Sequence, residues 1–399
     1  MQATQSLVEG IERHSIARNE PDWLKEYRKR NAEILSMRPL KKSHYSDLGM
    51  LDSLISVPSE PQIGIALPME IERPGIRVLE WGTALKEMEQ EIRNALEKEQ
   101  TPVDQYEAFA NAWFNSGFIV EVSEGVDTGK IVEWASIIER KTISKVLVFV
   151  GENIQGVQLL ERMKGSGNAA FYSQTVEVRE SSKASLVRLH ENIDENTMLC
   201  YQQALVGKDA ELLNSNGWLG GKTVKGAVVN SLIGNGSGLK QFDFLLAGSS
   251  QRFELKQSTL HIGTDTSALT VFKNVMTGRS RSTFDGMVKI LSSGQRANSL
   301  LEAHSMILSN SASSNNIPGL EIEADDVKAT HSATVAHADE EQIFYLQSRG
   351  ITRKKAEHMI VSGFLESVLF QLPGESMQKC ISALEKKFML LNAGSAAND

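Results

Sequence analysis

Six short turn clusters pace the middle of this chain: GEN at 151, ESS at 180, GKD at 207, GNG at 234, GTD at 263 and SSG at 292. The steps between them are 29, 27, 27, 29 and 29 residues. A near-constant period of about 28 residues is the mark of a stacked repeat rather than of a sandwich with varied loops. Between the clusters lie β-rich runs (KVLVFV, TVEVR, ASLVRL, AVVNSLI, DFLLAG, ALTVF, MVKIL, LEIE) without helical periodicity. The repeating unit is therefore strands and turns. A coil of that kind buries its inward Val, Ile, Leu and Phe only by stacking on its neighbours, so residues 116–336 are predicted to form a parallel β-helix. The alternative is an irregular all-β domain with coincidental spacing.

The flanks read as helix, which divides the 399 residues into an N-terminal helical domain with an extended linker (1–115), the β-helix core (116–336) and a C-terminal helical domain (337–399). Near Pro21, capped by Asn19 or Asp22, a helix carries Trp23, Leu24, Tyr27 and Ile34. A second spans 81–100 with a stripe of Leu85, Met88, Ile92 and Leu96, and QYEAFANAWFNSG begins a third. Pro58, Pro61, Pro68 and Pro74 punctuate the linker at 56–75. After 338, Asp339 and Gln342 make a capping-box arrangement for a helix carrying Ile343, Phe344 and Leu346 and stopping at Gly350. Thr352 caps a longer helix with a stripe of Ala356, Met359, Ile360, Phe364, Val368 and Leu369, ended by Pro373. The last helix carries Cys380, Ile381, Leu384, Phe388 and Leu391, and NAGSAAND reads as a disordered tail.

Several functions are disfavoured. A formal charge of −8 argues against a nucleic-acid binder, and the basic run Lys25 to Arg30 reads as a solvated helix face. Cys200 and Cys380 are far apart and form no metal-binding pair; both read as small buried hydrophobes. The N-terminus has no apolar signal-like run and no segment is long enough to span a bilayer, so a cytoplasmic protein is expected. There is no GxxxxGK[ST] phosphate loop, hence no nucleotide bound by that route, and no GxSxG or HExxH. GWLGGK (217–222) and GSGN (165–168) read as turns.

Candidate chemistry concentrates in EADDVKATHSATVAHADEEQ (323–342). His331 could ligate iron through a neutral nitrogen with a carboxylate behind it, or be hydrogen-bonded at a domain seam. From spacing alone the seam is favoured. His337 has the weaker case, lying directly before a helix cap. Asp325 and Asp326 could act as acid and base in a β-helical carbohydrate-active enzyme. Adjacent strand residues face opposite sides, however, which counts against a shared groove.

The segment PGLEIEADDVKATHSATVAHADEEQIFYLQSRGITRKKAEHMIVSGF (318–364) closely resembles the signature of the SufB/SufD family of iron–sulfur cluster assembly proteins. HIGTDTSALTVFKNVMTGRSRSTFDGMVKI (261–290), FANAWFNSGFIVEVSEGV (109–126) and EPDWLKEYRKRNAE (20–33) are similar to other parts of that family. The resemblance implies a right-handed parallel β-helix core with helical domains at both ends. It further implies a non-enzymatic scaffold pairing with a SufB-like paralogue, or with a second copy of itself, and binding the SufC-type ABC ATPase through the C-terminal helices. Tyr345, Arg349, Gly350, Ile351 and Phe364 are the partner-binding residues it suggests, and His331 an iron or cluster ligand at the subunit interface, where a transient iron–sulfur cluster is assembled. The position matching SufB's essential cysteine is Ala312, which favours a SufD-like member. The family's usual Cys-Ser-His-Gly is here Ala329-Thr330-His331-Ser332.

Overall fold

A computed structural model describes residues 2–37, 73–138, 143–165, 169–191 and 197–395. Most of the proline-punctuated linker, most of GSGN and the last four residues lie outside the described residues.

Sixteen strands alternate between two sheets. One sheet holds β2 (Phe118–Val122), β4 (Ile143–Val150), β6 (Ala169–Val178), β8 (Thr197–Val206), β10 (Thr223–Leu232), β12 (Arg252–His261), β14 (Arg281–Ile290) and β16 (Ser313–Ile322) in that spatial order. The facing sheet holds β3 (Val132–Ile138), β5 (Gln155–Gly165), β7 (Lys183–His190), β9 (Glu211–Trp218), β11 (Gly238–Ala247), β13 (Ser267–Met276), β15 (Asn298–Ile307) and β17 (Lys328–His337). All neighbours within these series pair in parallel; one further strand, β1 (Ile76–Glu80), joins β2 antiparallel. This is a parallel β-solenoid, as the period predicts. Register measures the coil directly: Ile143 pairs with Phe171, Thr223 with Arg252, Arg252 with Arg281 and Arg281 with Ser313.

The turn clusters recur because one corner needs the same backbone in every coil. Asn153, Ser181, Asp209, Gly236, Asp265 and Arg296 all have positive φ, between 51° and 72°. That left-handed conformation is tolerated best by Gly, Asn and Asp. It aims each N–H along the solenoid axis at the next corner's carbonyl: Asn153 N donates to Glu180 O (3.1 Å), Ser181 to Lys208 (2.9 Å), Asp209 to Asn235 (2.9 Å), Gly236 to Thr264 (2.9 Å), Asp265 to Gln295 (3.0 Å) and Arg296 to Asp326 (2.6 Å). The corners thus form a backbone ladder of their own, which satisfies groups that a loop would leave to water.

Helices cover part of each sheet's outer side. Helices α1 (Gln2–Ala17), α2 (Asp22–Met37), α3 (Trp81–Glu87), α4 (Glu89–Lys98) and α5 (Gln105–Trp113) belong to the first flank. Leu24, Ile92, Leu96 and Phe109 from this group join Leu147, Phe149, Phe171 and Leu199 in one apolar cluster on the even-numbered sheet. The helix predicted over 81–100 is broken at Met88 (φ −133°, ψ 32°), though Met88, Ile92 and Leu96 are buried as the stripe requires. At the other flank lie α6 (Glu340–Ser348), α7 (Arg353–Leu369) and α8 (Gly374–Ser395). Val361, Leu365, Val368, Cys380, Leu384 and Phe388 pack on Val187, Leu189, Phe242, Phe244 and Val275 of the odd-numbered sheet. Part of the tail read as disordered, 392–395, continues α8. Strands sandwiched between helix and core, such as β4 and β8, are buried at every position, whereas β12 alternates.

The interior is apolar at its edges and polar along its middle. Glu161 accepts from Tyr172 Oη (2.7 Å), from Gln174 Nε2 (2.8 Å) and from the Ser136 hydroxyl. Arg188 donates to Gln174 Oε1 and to Asn214 Oδ1, both at 2.5 Å, and its Nε lies 3.9 Å from Glu161. Asn214, Asn230, Gln241 and Asp243 continue the file at 2.9, 3.2 and 2.7 Å. All these groups are inside the solenoid, so they must satisfy one another.

Candidate functional site

The solenoid's two ends differ. At the first coil the antiparallel β1 and the N-terminal helices close the even-numbered sheet. At the last, β16 and β17 are the outermost strands of their sheets, and each keeps one unpaired edge among the described residues. Each is ten residues long. Long exposed edges of this kind are templates for pairing with another chain.

Register places the candidate residues. His331 stands beside Leu301 and His337 beside Ile307, both buried inward-facing positions of β15. Alternation therefore puts Ala329, His331, Ala333, Val335 and His337 on the inward side of the last coil. No described coil stacks beyond, so those positions from His331 onward are exposed, Val335 by 50% and Ile322 on β16 by 45%. The His331 side chain makes no hydrogen bond or ion pair with a described residue, while its backbone pairs with β15. Beneath this mouth sits a polar cluster. Asn316 Nδ2 donates to Ser305 Oγ (2.8 Å), Ala303 O (3.2 Å) and Thr334 O (3.2 Å), and Ser314 bonds Ser305 (2.9 Å) and Ser282 (2.8 Å).

Ala312 lies in the corner before β16, half-buried against the core. The 323–327 corner joins the end of β16 to the start of β17, so the start of β16 lies opposite the end of β17. Ala312 accordingly shares its side of the mouth with His337, and His331 is displaced toward the 323–327 corner. That His337 shares a side of the mouth with Ala312 follows from facing strands running in opposite directions, which sequence spacing does not display.

Asp326 has a structural place through its backbone. Asp325 and Asp326 are in the corner rather than on a strand, so strand alternation does not apply to them. Asp326 ends the corner ladder: its carbonyl accepts Arg296 N and its own N–H donates to Gln295 Oε1 (3.2 Å). Asp339 is the helix cap expected of it, accepting from Glu341 N (2.9 Å) and Gln342 N (3.4 Å).

Among the C-terminal residues, Tyr345 is 58% exposed, with the Arg349 guanidinium 5.3 Å from its ring centroid. Gly350 ends α6 at φ +83°, with open space around it. Ile351 is half-buried against Ile343 and Ala356. Phe364 is half-buried too: Lys273 Nζ sits 4.5 Å over its ring and donates to its carbonyl (3.0 Å). Phe344, one of the apolar residues its helix carries, is 72% exposed next to Tyr345. Met359, Met389 and Leu390 add 44%, 70% and 57% exposure on α7 and α8, residues that sequence stripes did not single out as surface.

Neither cysteine is a thiolate. Burial pushes the Cys200 thiol up to about 12 and raises Cys380 further still. Among the described residues no three or more His, Cys, Asp or Glu side chains gather as a metal site. No helix among them is long and apolar enough to cross a membrane.

Residues 135–364, more than half of the chain, match the family model described as SUF system FeS cluster assembly, SufBD core domain. The iron–sulfur cluster assembly protein SufB of Bacillus subtilis is 26% identical over 314 residues, covering 77% of this chain and 67% of that protein. SufD of the same organism is 26% identical over 334 residues, covering 81% and 76%. An iron–sulfur cluster assembly SufBD family protein of Synechocystis is 30% identical over 144 residues, 36% of this chain and only 30% of that relative's length. Equal identity to SufB and SufD does not separate the two.

Proposed function

Because the chain belongs to the SufB/SufD family of iron–sulfur cluster assembly proteins, we propose that it is a SufD-like scaffold subunit whose last coil joins a second SufB/SufD-type chain. The observation that carries this reading is the mouth of the solenoid. Two ten-residue strands there leave edges unpaired and inward-facing side chains exposed. Backbone pairing across those edges would cover Ile322 and Val335, and His331 would then face the partner's side chains. The iron–sulfur cluster is cargo in this reading. An imidazole supplies one neutral nitrogen donor, and with Ala312 in the cysteine-matching position the thiolate comes from the other chain. A pair of identical chains is the second arrangement, with the same mouth and no thiolate from either side at that position.

The SufC-type ATPase would dock on the exposed remainder of α6 and α7, where Phe344, Tyr345, Arg349 and Met359 stand clear of the core. Phe364 would contribute from behind, holding α7 to the solenoid through Lys273. Two experiments test the proposal. Co-expression with a SufC-type ATPase and a SufB-type chain should yield a complex, and failure to associate with all chains folded would refute it. His331→Ala should abolish cluster assembly in cells while leaving that complex intact; unchanged assembly would remove His331 from the site.

A further inference from the structure

We propose that the middle coils of the solenoid interior bind ordered water at two sites, one on the Gln257 amide with the Thr270 hydroxyl, the other between the imidazole of His261 and the Ser299 hydroxyl. The earlier coils carry the connected file from Glu161 through Gln174, Arg188, Asn214, Asn230 and Gln241 to Asp243, in which each head group bonds another. At β12 and β13 the file is interrupted: Gln257 and Thr270 follow it inward without joining it, and hydrogen bonding resumes only with Asn274, Ser282 and Ser314. Gln257 is 3% exposed, and neither its amide oxygen nor its amide nitrogen has a hydrogen-bond partner among the described residues. Thr270 Oγ1, in the same coil and 1% exposed, has none either. The strand register and the alternation of burial put both on the inward side. An amide kept in a core with all four hydrogen-bonding positions idle carries its full desolvation penalty, whereas a buried water offers two to four hydrogen bonds.

The second site is built alongside. His261 Nδ1 bonds Thr266 Oγ1 at 2.8 Å, which fixes the ring and turns Nε2 inward without a partner among the described residues. Burial holds this imidazole down at about 4, so it is neutral and calls for no counter-ion. Ser299 Oγ, also unpartnered among the described residues, stands one coil on, beside Ala268 in register and itself followed by Ala329. Methyl side chains on either side of a serine leave the space between His261 and Ser299 to something small and polar.

The first site is covered on the side toward the mouth. Between the first site and the mouth, the rings of Phe272 and Phe284 stack with centroids 4.3 Å apart and 8° between planes. Gly286 makes that seal fit, because a Cβ there would lie 2.8 Å from Phe284 Cε1 and 2.9 Å from Leu301 Cδ2. The residue beside Gln257 in the next coil is this same Gly286, so the aromatic seal roofs the first site directly.

A crystal structure of the full chain at about 1.5 Å resolution should show solvent peaks within hydrogen-bond distance of the Gln257 amide and between His261 Nε2 and Ser299 Oγ. Empty density, or a Gln257 amide turned onto protein partners, overturns the proposal. Gln257→Leu gives an independent reading by melting temperature. If the site is wet, leucine strands the water and the melting temperature stays or falls. If the core is dry, leucine replaces two orphaned polar atoms by hydrocarbon, the melting temperature rises, and the proposal fails.

Discussion

Arg188→Met would test whether the polar file inside the solenoid is a single coupled unit. Arg188 is 1% exposed, and its guanidinium holds Gln174 Oε1 and Asn214 Oδ1 at 2.5 Å, with Glu161 at 3.9 Å. Methionine keeps most of the volume but removes the charge and both donors. Two amide oxygens lose their donor, each worth about 1 kcal/mol, and the fully buried Glu161 loses its counter-charge. Breaking a buried pair from one side costs about 3–5 kcal/mol, so the single variant should lie in that range. Glu161→Gln combined with Arg188→Met removes the stranded charge, and should recover about 1–3 kcal/mol relative to the sum of the single changes. Urea denaturation followed by tryptophan fluorescence is the assay, because Trp134 and Trp218 belong to the same core cluster. A loss below about 1 kcal/mol for Arg188→Met, or strict additivity in the double variant, would refute the coupling.

Other expectations are independent of that file. Burial raises Glu107 from 4.5 to about 7 and Asp243 from 3.8 to about 7. A folded-state value above the unfolded one means stability fully present in acid and lost as pH rises; the loss should run from about pH 4 to about pH 7 and then level off. Glu107→Gln should flatten its share of that profile in denaturant titrations, and an unchanged slope would contradict the assignment. Gly286→Ala should cost about 1–3 kcal/mol by overpacking Phe284 and Leu301, read from thermal melts. His331→Ala, which removes an exposed side chain with no hydrogen bond or ion pair to a described residue, should change stability by less than about 0.5 kcal/mol. Val335→Lys puts a charge on the exposed inward side of the mouth and should weaken association with a second SufB/SufD-type chain, measured by light scattering, without lowering the melting temperature.

Much of the architecture was legible because it repeats. The period of turn clusters is the period of the left-handed corner residues, and a backbone requirement recurring at Asn153, Ser181, Asp209 and Asp265 leaves its mark on residue choice. Individual strands were less legible. TMLCYQQALV and ELLNSNGW carry Gln202, Asn214 and Asn216 inward, so no alternation of apolar and polar residues betrays them. Helix α1, with its mixed charges, gave no strong stripe either. The motif around His331 lies at the open end of the solenoid, and two placements depended on three dimensions. Phe344 is outward because Ile343 takes the helix's one buried position, and Asp326 is held by the corner ladder rather than by chemistry.

The solenoid also fixes a distance. Seven steps in the even-numbered sheet lead from β2, next to the N-terminal helices, to β16 at the mouth, and at about 4.8 Å per step the two stand roughly 34 Å apart. The coil count is therefore a ruler, graduated in whole coils. Removing one complete coil would bring the mouth about 4.8 Å nearer the N-terminal helices with every corner, inward side and sheet kept in phase. Removing half a coil would hand each strand to the opposite sheet. Length along this axis can change by insertion or loss of whole coils of about 28 residues, and the chemistry at the mouth is insulated from that change.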